Sequence, residues 1–166
     1  QQFLRISDQF INGDYEWFDC RIAFMIGLIL AHSSNKFYKD SKRNQKIRWC
    51  LIISVLSTRH IIGFIVFLIK QGNPSGCWLT TILNIIANMF YIRYGYYHLV
   101  DPDLYNFFQH VCPWLFGDDN LASIAKQIQH LFNMKTFADL MKSIGVIYTT
   151  PDKKPIEQLF YSTEEI

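Results

Sequence analysis

Trp114-Leu115-Phe116-Gly117-Asp118-Asp119-Asn120-Leu121-Ala122-Ser123-Ile124 decides how the rest of the chain is read. Two apolar runs, 114–116 and 121–124, flank four residues that favour tight turns, which predicts a β-hairpin. Gly and Asp are common in turns for backbone reasons alone, so Gly-Asp-Asp by itself implies nothing more. Its weight comes from what stands on either side of it.

Downstream, the apolar positions Ile128, Leu131, Phe137, Leu140 and Met141 predict a helix within residues 125–143, with Gly145 placed to end it. Residues 146–149 read as a strand. Upstream, Leu79, Ile82, Leu83, Ile86 and Phe90 form a helical stripe that follows the loop at 71–76. Residues 60–62 and 64–69, split by Gly63, read as a second hairpin, and residues 49–56 as helix. Near the start, residues 11–14 form a turn-rich lead-in to an aromatic cluster, Tyr15, Trp17 and Phe18. Ile22, Met25, Ile26 and Ile29 then give residues 19–31 helical spacing. Helices interleaved with hairpins indicate an α+β fold: an antiparallel sheet with helices packed on one face.

Half of the 166 residues are hydrophobic and 16% are aromatic, enough for a sizeable core and too many for disorder. A net charge of +2 argues against a grip on nucleic acid by bulk charge. The basic run at 36–48 reads as a solvated surface before it reads as a phosphate-binding one. The four cysteines are scattered without a C-x-x-C pair, which suits reduced thiols better than a disulfide frame or a zinc site. Residues 22–31 and 61–69 are apolar but short of the roughly 20 residues a spanning helix needs. Both are expected to be buried core elements, with no transmembrane segment.

Three companions surround the Gly-Asp-Asp turn. Asp14 and Asp19 stand five positions apart at a strand-to-helix junction. Phosphoryl transfer with two magnesium ions needs hard oxygen ligands from separate elements, and Asp14 is placed to reach ions also held by Asp118. Asp19 is free for another task, or serves as a helix N-cap. In Ser75-Gly76-Cys77-Trp78-Leu79-Thr80-Thr81-Ile82-Leu83-Asn84, Thr80 and Asn84 share a helix face, where a ribose hydroxyl would satisfy them. They could equally satisfy each other or the backbone. Finally, Thr149-Thr150-Pro151-Asp152-Lys153-Lys154 brings a lysine able to protonate a leaving pyrophosphate, on what is otherwise an ordinary charged turn.

Taken in order, these residues resemble the palm of RNA-dependent RNA polymerases from picorna-like positive-strand RNA viruses. There the motifs run D-x4-D, S-G-x3-T-x3-N, G-D-D and a turn ending in D-K. Here they are Asp14/Asp19, Ser75-Gly76/Thr80/Asn84, Gly117-Asp118-Asp119 and Asp152-Lys153. The resemblance implies that residues 1–166 are a polymerase palm with a fingers-like basic insertion around 32–58. The remaining fingers and the thumb are expected in flanking parts of a viral polyprotein.

It further implies that Asp14, Asp118 and Asp119 hold two Mg²⁺ ions, with Mn²⁺ as a substitute, and that Lys153 is the general acid. Asp19, Ser75, Gly76, Thr80 and Asn84 would bind the nucleotide. The implied partners are an RNA template and primer and nucleoside triphosphates. The implied setting is viral replication complexes in the host cytoplasm. Phe116 stands where the family usually has tyrosine, and Ile85 where a small polar residue is common. The alternative is an inactive or endogenised fragment of such an enzyme. Decay would be expected to strike the aspartates, and all four are intact.

Overall fold

The computed structural model describes residues 6–22, 24–69, 72, 76–77 and 79–166. The chain divides into two compact units, residues 17–84 and the remainder.

The unit formed by the remainder is built around strand β1 (Gln9–Tyr15). The sheet runs in the order β4 (Val111–Phe116), β5 (Asp119–Ile124), β1, β6 (Tyr148–Thr149), and β7 (Tyr161–Ser162) also pairs with β1. Every pairing is antiparallel. The β4–β5 hairpin is longer than its sequence suggests, because Asp119 and Asn120 join the ladder and leave Gly117-Asp118 as the turn. Gly117 takes φ 65°, a conformation glycine adopts without steric cost. Pro113 lies within β4, where it is tolerated because β4 is an edge strand.

The turn-rich lead-in expected at 11–14 is instead the middle of β1. Gly13 marks a close approach, not a turn. A Cβ there would collide with the Tyr148 ring and stand 2.7 Å from the Thr149 carbonyl oxygen. Tyr148 crosses over this glycine from β6, and its hydroxyl donates to Asn120 Oδ1 on β5 at 2.7 Å. One side chain thereby ties three strands together.

Within this unit, residues 85–99 of α4 (Thr80–Leu99) and α5 (Met134–Ser143) supply the helical cover. Tyr15 packs on Tyr91 of α4 at 5.8 Å between ring centroids, and Tyr148 on Phe137 of α5 at 4.8 Å. The buried face of α4 is set by Leu83, Asn84, Ala87, Asn88, Tyr91, Ile92 and Tyr96. Ile82 and Phe90, expected in the apolar stripe, are exposed. The stripe is misjudged because two buried positions on the true face are asparagines. The helix expected within 125–143 begins late: Asn133 and Thr136 form a reciprocal capping box that fixes its start. Gly145, at φ 79°, follows its end as expected.

In the unit of residues 17–84, α1 (Phe18–Arg21) and α2 (Phe24–Tyr38) replace the single helix predicted over 19–31. The break falls at Ile22, whose carbonyl accepts from Gly72 N at 3.2 Å. Helix α3 (Lys42–Leu56) packs on α2 around Ala31, Ile52 and Leu56, with Gly27 set against the Leu56 side chain. The basic run is thus a helix end, a short connection and a new helix. Arg48 is engaged by the Asp40 carboxylate, and its Nε donates to Asn35 Oδ1 at 2.6 Å.

Strands β2 (Thr58–Ile62) and β3 (Ile65–Ile69) form the second hairpin as read, but not as core. Ile61, Ile62, Phe64, Ile65, Val66 and Leu68 are all exposed, which corrects the expectation that residues 61–69 are buried. No helix among the described residues is long and apolar enough to cross a membrane.

Candidate active site

Asp14 sits near the end of β1, almost fully buried at 6% exposure. Its Oδ1 accepts from Tyr15 N at 2.7 Å, and its Oδ2 stands 3.4 Å from Lys153 Nζ. Lys153 is itself well exposed, so it offsets the buried charge only weakly. The β1–β5 register pairs Gly13 with Asn120; continued by one position, it sets Asp14 opposite Asp119, next to the turn residue Asp118. Three carboxylates therefore belong to one end of two neighbouring strands.

The turn that carries two of them is held from beneath. Asn88 Nδ2 donates toward the carbonyl oxygens of Gly117, Asp118 and Asp119 at 3.3, 2.9 and 3.2 Å. Its Oδ1 accepts from the Tyr15 hydroxyl at 3.2 Å. Burial, reinforced by Tyr148, Tyr91 and Asp14, pushes the Tyr15 phenol well above its ordinary value, which keeps it a neutral donor. Lys153 lies at φ 58° in a turn closed by Thr150, whose hydroxyl accepts from Lys154 N at 3.0 Å while its carbonyl accepts from Lys153 N at 2.9 Å. A lysine in the left-handed region is strained, and this turn sustains the strain.

Other predicted residues belong to the unit of residues 17–84. Asn84 Nδ2 donates to Asp19 Oδ1 at 2.6 Å, joining α4 to α1 across 65 positions of sequence. Asp19 lies in the first turn of α1; the N-cap is Trp17, at φ 56° and without a side-chain cap. Thr80, the first residue of α4, is half-buried one turn before Asn84. Gly76 takes φ 85° with open space where a Cβ would stand. Ser75 lies outside the described residues.

Asn88 was not anticipated from sequence. The available signal was its position four residues beyond Asn84, continuing the polar series of Thr80 and Asn84 along an otherwise apolar helix. Among the described residues no three His, Cys, Asp or Glu side chains converge into a ready cage for a metal. The donor chemistry still fits magnesium, which binds through one or two carboxylates together with water and substrate phosphate oxygens.

The family model for viral RNA-dependent RNA polymerase matches residues 2–166. The chain belongs to this family. Among similar proteins is the genome polyprotein of Rice tungro spherical virus (strain A), 29% identical over 160 residues, covering 92% of this chain and 5% of that one. The RNA1 polyprotein of Tomato ringspot virus (isolate raspberry) is 33% identical over 158 residues, covering 90% of this chain and 7% of that one. The replicase polyprotein of Acute bee paralysis virus (strain Rothamsted) is 31% identical over 149 residues, covering 84% and 8%. The chain thus spans a small fraction of these relatives.

The solved Sicinivirus 3Dpol RNA dependent RNA polymerase shares the fold, with a TM-score of 0.81 and 20% identity over 99% of this chain and 33% of that one. Viral RNA-dependent RNA polymerases generally use divalent metals, in keeping with the hard carboxylate donors here.

Proposed function

We propose that this segment is the catalytic palm of an RNA-directed RNA polymerase that replicates viral RNA. The observation that carries the reading is the placement of Asp14 and the Gly117-Asp118-Asp119 turn on adjoining strands of one sheet. Asp14 and Asp118 would hold two magnesium ions, with Asp119 assisting; when bound, these ions supply charge stabilisation to the attacking 3′-hydroxyl and the leaving pyrophosphate oxygens. Lys153 donates a proton to the leaving pyrophosphate from the β6 side of Asp14. Asp19 and Asn84, already joined by a hydrogen bond, read the ribose hydroxyls of the incoming nucleotide, with Thr80 in support. Ser75 and Gly76 are assigned to binding of the nucleotide.

RNA template, primer and nucleoside triphosphates are the proposed ligands. The fingers and thumb are assigned to other parts of the polyprotein, and the setting to replication complexes in the host cytoplasm. Primer extension by the full-length polymerase on an RNA template tests the reading. Asp118→Ala should abolish Mg²⁺-dependent extension while leaving the fold intact; retained extension overturns the assignment.

A further inference from the structure

Asn88 is fully buried, with 0% exposure, and no chemical step above uses it. Its amide nitrogen has two hydrogens and faces three consecutive carbonyl oxygens, those of Gly117, Asp118 and Asp119. Such an arrangement fixes the direction in which the turn leaves the sheet. The other end of the same amide is fixed too, because Oδ1 accepts from the hydroxyl of Tyr15. Tyr15 directly follows Asp14, and its backbone N–H donates to the Asp14 carboxylate. A continuous path therefore runs from the Asp14 carboxylate through Tyr15 and Asn88 to the main chain of Asp118 and Asp119.

Asp14, Tyr15 and Asn88 are buried and Asp118 is half-buried, where hydrogen bonds hold geometry more firmly than in water; the Asp119 end of the path is exposed. The ladder between β1 and β5 already holds the two strands side by side. It does not fix the apex of the hairpin, because the ladder of β4 and β5 ends at Phe116 and Asp119. The amide of Asn88 reaches the apex that the sheet leaves open.

On the palm reading, we propose that Asn88 and Tyr15 are a positioning pair, which sets the spacing between Asp14 and the Asp118-Asp119 turn and so sets the affinity for the divalent cation. Neither residue touches substrate. Their substitution shifts the Mg²⁺ dependence of the reaction more than it shifts nucleotide or RNA binding.

The test uses the full-length polymerase with Tyr15→Phe, which removes only the hydroxyl, and Asn88→Asp, which keeps the shape and loses both N–H donors. Tyr15→Phe is expected to raise the Mg²⁺ concentration for half-maximal primer extension about threefold, and Asn88→Asp about tenfold or more, the range expected for one and for several buried hydrogen bonds. KM for nucleotide at saturating Mg²⁺ and affinity for RNA should stay within about twofold of the parent. An unchanged Mg²⁺ midpoint in folded Tyr15→Phe overturns the proposal, whether or not Asn88→Asp folds. So does activity that falls only in step with the folded fraction. Asp118→Ala, run alongside, separates the two ideas. If it is inactive while the Mg²⁺ midpoints do not move, the positioning pair alone fails; if it is active, the palm reading itself fails.

Discussion

Lys153 Nζ stands 3.4 Å from Asp14 Oδ2, pairing a lysine on one turn with a buried carboxylate on the central strand. A cation is thus held at the carboxylate where magnesium is proposed to bind, and the proposed function makes this lysine the proton donor to the leaving pyrophosphate. Replacing it with leucine should lower kcat about 100-fold, the lower range of general acid contributions, with little change in RNA affinity. The solvent deuterium isotope effect on single-turnover extension should fall toward unity. A full isotope effect in Lys153→Leu would assign the proton to another group.

Asp14 is buried with an exposed lysine as its ion-pair partner, so its charge is not what keeps the sheet together. Asp14→Asn retains an oxygen to accept from Tyr15 N. Thermal denaturation should show a change within about 1 kcal/mol, while Mg²⁺-dependent extension is lost. A large loss of stability would show that the carboxylate is structural.

Asn84 and Asp19 share a hydrogen bond of 2.6 Å, so each orients the other. Asn84→Ala and Asp19→Ala should each reduce discrimination between ribo- and deoxynucleotides by about tenfold, near the worth of a hydrogen bond to a charged group. The ratio of kcat/KM for the two nucleotide types is the measurement. An unchanged ratio would remove ribose reading from these residues.

Tyr15 and Tyr148 are buried phenols, and burial is the leading cause that raises both above the ordinary 10.0. A raised folded-state value means the unfolded chain loses these protons first as pH climbs. Their contribution is therefore complete below about pH 10 and declines above it, as the unfolded state gains the ionised form. Ultraviolet difference titration should show these two tyrosines ionising only together with loss of folded signal. Ionisation near pH 10 in a folded chain would contradict their burial.

Gly13→Ala places a methyl group against the Tyr148 ring and the Thr149 carbonyl. Rigid neighbours of this kind make overpacking costly, and a loss of about 1–3 kcal/mol in denaturant unfolding is expected.

Much of this was legible before any coordinates. The Gly117-Asp118 hairpin, the β2–β3 hairpin and the stop at Gly145 follow from local turn and cap chemistry, which short stretches of sequence carry in full. What was not legible depended on residues distant in the chain. Gly13 resembles a turn residue until Tyr148 crosses it, and helix 19–31 is continuous until Gly72 takes the Ile22 carbonyl. The pairing of Asp19 with Asn84 joins two motifs that sequence names separately, and Asn88 belongs to no motif at all. The apolar residues of β2 and β3 predicted burial on composition, which cannot tell an element in the core from one that is merely apolar.

Asn88 grips the Gly117-Asp118-Asp119 segment by three main-chain oxygens and touches none of its side chains through those bonds. Its hold is therefore blind to residue identity at 118 and 119. Carboxylates there can be exchanged for amides without loosening the loop, so the framework and the reactive groups are separable parts. A polymerase inactivated by such an exchange keeps its hairpin in place, ready to regain activity by a single reversion.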